Sequence, residues 1–183
     1  MMRLFLFTFL ALLAIAAGPA RADQTDARLD ALFEQLRAGD GEDAEAIATE
    51  IDAIWTDAAS DTVDLLTARA LEGLEAQNFD LAEALLDHVV GLSPNFAQGY
   101  ALRGAARSAS EDQAGAIADF SRAIELEPRH FEARIALAEI MLAGGDTRGA
   151  YDMLQKALEW NPHEPHGRDR ARTLRQKLDG QEI

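Results

Sequence analysis

The chain has 183 residues, a hydrophobic fraction of 48% and 5 prolines, which is typical of a folded, helix-rich protein and not of a disordered one. Its formal net charge of −15 would repel phosphate backbones, so nucleic acid is not expected as a partner. The absence of cysteine excludes disulfides, thiol catalysis and zinc–thiolate sites.

The N-terminal residues 1–22 have the layout of a secretory signal peptide. Arg3 gives a short basic start, residues 4–17 form an apolar run, and Ala-Arg-Ala at residues 20–22 suits a cleavage site. The run is shorter than the roughly 20 apolar residues that a transmembrane helix needs. We therefore predict cleavage before Asp23, no membrane insertion afterwards, and a periplasmic location, with full secretion as the alternative.

Residues 23–60 are predicted to form a helical hairpin. Apolar residues recur at helical spacing on both sides of the Gly-Asp-Gly break at residues 39–41. The hairpin has roughly the length of the units that follow, but Ser60 stands where a proline would be expected. We interpret it as a degenerate first repeat or an N-terminal cap, because terminal repeats are usually atypical.

The stretch 63–164 is periodic. Pro94, Pro128 and Pro162 stand at equal intervals, and this interval defines the repeat period of the chain. A fixed period of roughly 30–40 residues predicts stacked pairs of helices and not a single-core globule. The three predicted helix–turn–helix units are 63–96, 97–130 and 131–164.

Small and large residues also recur at fixed positions in these units. Two helices approach closely only where side chains are small, and a large residue one turn away fills the space beside the crossing. The residues assigned to this repeat packing are Gly104, Ala82, Ala116, Ala150, Phe120, Pro94, Pro128 and Pro162.

The C-terminal residues 165–183 are predicted to form a capping helix and a tail. Pro165 suits the first turn of a helix, and Ala171, Leu174 and Leu178 are the candidates for an inward face. This segment is mildly basic on an acidic body, so it could bind the body, bind an acidic neighbour, or simply be a solvated helix.

Residues 104–128, with the run Ala-Ile-Ala-Asp-Phe-Ser-Arg-Ala-Ile-Glu-Leu-Glu-Pro, resemble the second helix of the tetratricopeptide-repeat family. The likeness extends over residues 63–162 and weakly over the N-terminal hairpin. The whole chain resembles short exported tetratricopeptide-repeat proteins of Gram-negative bacteria. The resemblance implies an all-α fold, a right-handed α-solenoid of stacked helix–turn–helix repeats.

The resemblance also implies a binding groove on the concave face, lined by the first helix of each repeat. Members that bind chaperone tails carry lysine, arginine and asparagine there, and the matching positions of this chain hold none of these residues. We therefore expect an apolar groove with acidic points, suited to a protein or peptide segment that is apolar with basic flanks. The alternative is a groove filled by the protein's own helices. The candidate groove residues are Asp64, Leu71, Ala101, Ala105, Glu132, Ile135 and Glu139.

No residues with a recognisable catalytic spacing stand out, and no cofactor is expected. His163 and His166 are the candidates for a metal site, but Pro162 and Pro165 interrupt the helix that would hold both imidazoles on one face. His130, at a repeat junction, is interpreted as a surface or wedge residue.

The leading hypothesis is a non-catalytic periplasmic interaction module or scaffold that binds a peptide or helix of an envelope partner. One alternative is a self-assembling structural protein, a homo-oligomer that uses the basic C-terminal helix. A metal-dependent hydrolase is a further alternative.

Overall fold

The computed structural model describes residues 24–180, so the predicted signal peptide lies outside the described residues. Within that range the regular secondary structure is α-helix alone, and no helix is long and apolar enough to cross a membrane. The helices are α1 (Arg28–Ala38), α2 (Gly41–Thr56), α3 (Asp61–Glu75), α4 (Phe79–Leu92), α5 (Ala97–Ala109), α6 (Gln113–Leu126), α7 (Phe131–Ala143), α8 (Thr147–Leu158) and α9 (Pro165–Asp179).

Helices α3 to α8 form three hairpins, α3–α4, α5–α6 and α7–α8, which stack in chain order. Within each hairpin the two helices pack together, and each second helix also packs against the first helix of the next hairpin. This arrangement is that of a helical-repeat solenoid, in which each unit contacts mainly its neighbours. The predicted all-α solenoid is therefore confirmed.

Small residues lie at the helix crossings inside each hairpin. Ala82, Ala116 and Ala150 have no exposed surface. In the second hairpin, a Cβ atom added to Gly104 would lie 3.0 Å from ring carbons of Phe120. This distance is well inside ordinary carbon–carbon contact, so α5 approaches α6 this closely because residue 104 has no side chain.

The turn inside each hairpin uses a residue with positive φ. These residues are Gln77 (58°), Glu111 (67°) and Gly145 (86°), and they stand one repeat period apart. Only the third hairpin places glycine, the residue that favours this conformation, at this position. The residue after each one accepts a hydrogen bond at the start of the second helix, as Asp112 does from the Gly115 amide at 3.0 Å. The same cap is made by Asn78 and Asp146.

Helix α9 continues the stack as the first helix of an incomplete fourth level. Ala171 and Leu174 are 4% and 3% exposed and pack against α8, next to Leu154. They stand one repeat period after Leu137 and Ile140, the equivalent positions of α7. The predicted capping helix thus covers the apolar side of the last complete repeat.

An ion-pair network joins α4, α5 and α6. Asp119, 3% exposed, accepts hydrogen bonds from Arg103 at 2.6 and 2.9 Å and from Arg107 at 2.9 Å. Arg103 also reaches Asp87, and Arg107 reaches Glu83. Because these carboxylates lie on two successive hairpins, the two arginines fix one hairpin against the next.

The N-terminal hairpin α1–α2 does not occupy the open end of the stack, where the sequence places a degenerate repeat or cap. Its apolar face packs instead against Phe131, Ala157 and Trp160 of the third hairpin. The physical reason is the aromatic content of both surfaces, since Phe33 contacts Trp160 and Trp55 contacts Phe131 at ring-centroid distances of 5.7 and 5.6 Å. The hairpin therefore runs along the repeat junctions.

Candidate functional site

Helix α2 lies over the N-terminal end of α5, one of the first helices that line the concave groove. The buried side chain of Gln98 on α5 donates a hydrogen bond to Asp52 of α2 at 3.3 Å. Ile135 of α7 packs against the core of the α1–α2 hairpin. The alternative of a groove filled by the protein's own helices therefore holds for the part of the groove nearest the repeat junctions.

His130 is the wedge residue where the α1–α2 hairpin meets the repeats, which we call the joint. It is 1% exposed, its imidazole stacks on Trp55 with ring centroids 4.6 Å apart, and its Nε2 lies 2.9 Å from the Gln98 Oε1 atom. Since the amide oxygen accepts, Nε2 carries the proton and Nδ1 is left to accept from the Ala133 amide. Burial lowers the pKa of His130 to about 3, so its imidazole is neutral at physiological pH.

Arg129 holds α1 to the same junction. Its guanidinium donates to Asp30 of α1 at 2.6 Å and to the buried Glu127 at 2.7 Å. The group also lies 5.1 Å from the centroid of the Phe33 ring. The pair with Glu127 orients Arg129, and the ion pair with Asp30 and the cation–π contact with Phe33 connect it to the hairpin.

Between α2 and the third hairpin lies a cavity of about 480 Å³, the acidic cleft. Ala44, Ala48 and Phe131 line it with apolar surface. Four acidic residues line the cleft around this apolar surface: Glu45 and Asp52 from α2, Glu132 from α7, and Glu164, whose carboxylate also caps the N-terminus of α9. An apolar surface with convergent charges of one sign suits a ligand that is apolar and cationic.

Glu132 is the carboxylate most perturbed by the acidic cleft. Solvent still reaches its side chain, but the surrounding protein removes much of its hydration. Desolvation first, and then the nearby charges of Asp52 and Glu164, raise the pKa of Glu132 to about 7. Burial also raises the pKa of Asp52 above its ordinary value. The free protein thus carries less negative charge in the cleft than its four carboxylates suggest.

The groove continues beyond α2 as a second cavity of about 410 Å³, lined by Ala105, Ala136, Glu139 and Ile140 among others. The negative charge of Glu139 is offset there. Arg170 of α9 donates to it at 2.7 Å, and the His166 imidazole lies 3.1 Å away. The second cavity is therefore mainly apolar, and the carboxylate of Glu139 that lines it is already paired with Arg170.

The structure separates the seven predicted groove residues. Glu132 lines the acidic cleft, and Ala105 and Glu139 line the second cavity. Asp64 accepts a hydrogen bond from the Ala58 amide in the turn before α3, at 2.8 Å. Ala101 is 8% exposed and belongs to the core. The remaining two are half-buried: Leu71 on α3 and Ile135 under the hairpin.

Sequence reasoning missed three of the four carboxylates around the acidic cleft: Glu45, Asp52 and Glu164. The first two lie on a hairpin that was assigned to the end of the stack and so was not considered as a wall of the groove. A signal was present, since residues 45, 48, 49 and 52 share one face of α2, which borders the apolar face formed by positions 51, 54 and 55. The polar face of an amphipathic helix can line a cleft as readily as it can face bulk solvent.

The two histidines considered for metal binding lie in different surroundings. His166 contacts Glu139, whereas His163 lines the acidic cleft with its Nε2 atom buried and without a hydrogen-bond partner in the described structure. Across residues 24–180, no three His, Cys, Asp or Glu side chains are grouped so that they could hold a metal ion.

Comparison with known proteins agrees with this architecture. The family model described as "Tetratricopeptide repeat" matches residues 108–178. A TPR repeat-containing protein of Rhizobium etli is 29% identical over 154 residues, which cover 84% of this chain and 76% of the relative.

Two solved structures have the same fold at low sequence identity. The first TPR of Spaghetti (RPAP3), bound to an HSP90 peptide, superposes with a TM-score of 0.61 at 18% identity, over 66% of this chain and 95% of that one. The Yersinia enterocolitica chaperone SycD, in complex with a peptide of the translocator YopD, gives a TM-score of 0.61 at 19% identity, over 65% of this chain and 96% of that one.

Proposed function

We infer that this chain, which is built of tetratricopeptide repeats, is a non-catalytic interaction module of the periplasm. It binds a segment of an envelope protein that is apolar and carries a basic residue. The segment lies in the open part of the concave groove and places its basic side chain in the acidic cleft.

The observation that carries this proposal is the composition of the acidic cleft. Its volume of about 480 Å³ falls within the roughly 300–1,000 Å³ of typical ligand sites. The aliphatic stem of a lysine or arginine would pack on Ala48 and Phe131, while its charged end would meet Glu132 and Asp52. A cation would also supply the positive charge that the cleft lacks, since it would stabilise the ionised form of Glu132, whose pKa is raised to about 7.

Relatives of the same fold support a peptide as the kind of ligand. One was solved with the HSP90 peptide SRMEEVD and another with a peptide of YopD. The acidic end of the HSP90 peptide would be repelled by the four carboxylates of this cleft. We therefore propose a ligand of opposite charge for this chain.

The periplasmic location rests on the sequence of residues 1–22. Cell fractionation with detection of a C-terminal tag tests it. A mature protein that begins at Asp23 in the periplasmic fraction supports the proposal, and an unprocessed protein in the cytoplasm contradicts it.

Selection from a random peptide library on the immobilised protein tests the ligand. The wild-type protein should enrich peptides with lysine or arginine next to apolar residues. A Glu132→Lys/Asp52→Lys variant should lose that enrichment, and Glu125→Lys, on an exposed site of α6, should keep it. Enrichment of acidic C-termini, or equal enrichment by all three proteins, would contradict the proposal.

Self-assembly through the basic helix α9 is the alternative. The apolar face of this helix packs on its own α8, and its Arg170 pairs with Glu139 of the same chain. Its outward residues Arg172 and Arg175 have acidic neighbours on the helix itself, Asp169 and Asp179. These intramolecular contacts favour the peptide-binding proposal.

A further inference from the structure

The first level of the stack has an apolar surface whose equivalent positions are buried or half-buried at the later levels. This end face consists of Leu65, Arg69 and Glu72 of α3 and Leu81, Leu85 and Leu92 of α4. Leu65, Leu81 and Leu92 are 61%, 48% and 59% exposed. Three exposed leucines on one end of a repeat stack are uncommon for a surface that meets only water.

The internal repeat identifies what kind of surface this is. Gly99 and Ala106 stand one repeat period after Leu65 and Glu72, and both are buried. A Cβ on Gly99 would lie 2.9 Å from Val89 of the preceding level. At the fourth level the equivalents Gly167 and Leu174 are buried as well. The end face therefore corresponds to the surface on which, at later levels, the preceding hairpin packs. At the first level no preceding hairpin covers it.

The α1–α2 hairpin, the segment nearest in sequence, does not fill this place. Its buried residues form one cluster with Phe131 and Ala157 of the third hairpin. Between Arg69, Gly73, Leu81 and Leu85 the end face keeps a cavity of about 480 Å³. The high exposure of the leucines follows directly from this placement.

The geometry points to a second copy of this chain as the occupant, with the two end faces in contact across a two-fold axis. A head-to-tail contact would set the leucines against the outer side of α9, where Arg168, Arg172 and Arg175 are exposed, and would pair an apolar surface with a charged one. A head-to-head contact pairs leucines with leucines.

The charges of the end face are self-complementary. Arg69 and Glu72 lie 3.5 Å apart, with side chains 65% and 67% exposed. In a two-fold contact Arg69 of one copy can pair with Glu72 of the other copy, and each interface has two such pairs. This face thus combines apolar surface and opposite charges in the arrangement that an isologous dimer needs.

Analytical ultracentrifugation of the purified protein over a concentration series tests the inference. The wild-type mass should rise from monomer to dimer, and Leu65→Glu/Leu81→Glu should raise the dimer dissociation constant by more than about 100-fold, from lost apolar burial and like-charge repulsion. Ile117→Glu, at a 44% exposed position of α6, is the matched control and should dimerise as the wild type does. Far-UV circular dichroism verifies that each variant is folded.

A charge exchange tests the two-fold arrangement itself. Arg69→Glu should weaken the dimer because it sets two acidic residues against each other, and adding Glu72→Arg should restore it. A wild-type protein that stays monomeric to millimolar concentration overturns the inference, including the case in which a different protein binds the end face. Dimers that survive Leu65→Glu/Leu81→Glu, or that are lost on Arg168→Glu/Arg175→Glu in α9, overturn it too.

Discussion

The indole of Trp55 stacks on the imidazole of His130, with ring centroids 4.6 Å apart and planes inclined by 27°. Trp55 belongs to the N-terminal hairpin and His130 to a repeat junction, so this pair joins the two parts of the molecule. The hairpin thereby becomes a wall of the concave groove, and its helix α2 supplies one side of the acidic cleft.

Unfolding experiments can show whether the hairpin is an integral part of the fold. The chain has 2 tryptophans, Trp55 and Trp160, and both lie in the core shared by the hairpin and the third repeat. Tryptophan fluorescence therefore reports on this joint, while far-UV circular dichroism reports on all helices. We expect the two urea transitions to coincide, because the contacts at the joint are buried and aromatic. A fluorescence transition at lower urea would show that the hairpin detaches first.

Trp55→Ala should destabilise the protein by about 3 to 5 kcal/mol, because it removes a large side chain that is 2% exposed and leaves a cavity. Urea unfolding followed by circular dichroism measures the change. Ile117→Ala, at a 44% exposed position of α6 outside the end face, is the control and should change the free energy of unfolding by less than about 0.5 kcal/mol. Equal effects of the two substitutions would place Trp55 outside the core.

Glu132→Gln should make stability less dependent on pH. The pKa of Glu132 is about 7 in the folded protein, above its ordinary value of 4.5, so the folded state binds this proton more tightly than the unfolded chain. The charged form therefore reduces stability as pH rises from 4.5 through 7. Above pH 7 the variant should be the more stable protein, by under about 1 kcal/mol because solvent reaches this carboxyl. Thermal unfolding at pH 4.5 and 8 measures the difference, which should vanish at the lower pH.

His130 contributes a pH dependence of the opposite sign. Its folded-state pKa of about 3 lies below the ordinary 6.5, so the unfolded chain takes up a proton first as pH falls. Stability from this residue is complete above pH 6.5 and is lost as pH falls towards 3, by up to about 1.4 kcal/mol per pH unit. In the Glu132→Gln background the unfolding free energy should fall steadily over this range. A flat profile there would mean that His130 accepts a proton without leaving its buried site.

Asp119→Ala should destabilise the protein by about 3 to 5 kcal/mol, because it leaves Arg103 and Arg107 largely buried without the carboxylate between them. Glu125→Ala removes a carboxylate from an exposed i,i+3 pair on the same helix and should cost no more than about 0.5 kcal/mol. Chemical denaturation of both variants checks the contrast, and similar losses would show that the network contributes no more than a surface pair.

The turns inside the repeats allow a pair of substitutions with opposite effects. Gln77→Gly should stabilise the protein by about 0.5 to 1 kcal/mol, because Gln77 has a φ of 58° and glycine adopts this conformation without steric cost. Gly145→Ala, at the equivalent turn with a φ of 86°, should destabilise it by a similar amount. Melting temperatures that shift in the same direction for both variants would contradict this interpretation.

The repeats could be predicted from the sequence because each level repeats the same local code. Alanines at the crossings and prolines after the second helices recur once in every repeat period, and the pattern requires no knowledge of distant contacts. The positive φ at Gln77 and Glu111 was not predicted, because neither residue type signals that conformation.

The position of the hairpin could not be predicted. It depends on contacts between residues that are about a hundred positions apart in sequence, and these contacts do not recur from repeat to repeat. Asp30 pairs with Arg129 and Phe33 contacts Trp160, and neither pair is marked by local sequence. Glu45 and Asp52 of the acidic cleft were missed for this reason, because both lie on the hairpin. Ala101, which the sequence places in the groove, is 8% exposed and lies in the core, because small residues at such positions are often buried by a neighbouring helix.

The central claim is that the acidic cleft binds the basic residue of a peptide. NMR amide shifts recorded while a lysine-containing apolar peptide from the library selection is added test it most directly. We predict the largest shifts at Ala48, Thr49, Phe131 and Glu132, and tighter binding at pH 8 than at pH 6, because Glu132 must be ionised to hold the cation. Shifts confined to the second cavity or to the end face, with affinity that does not change between these pH values, would contradict the account.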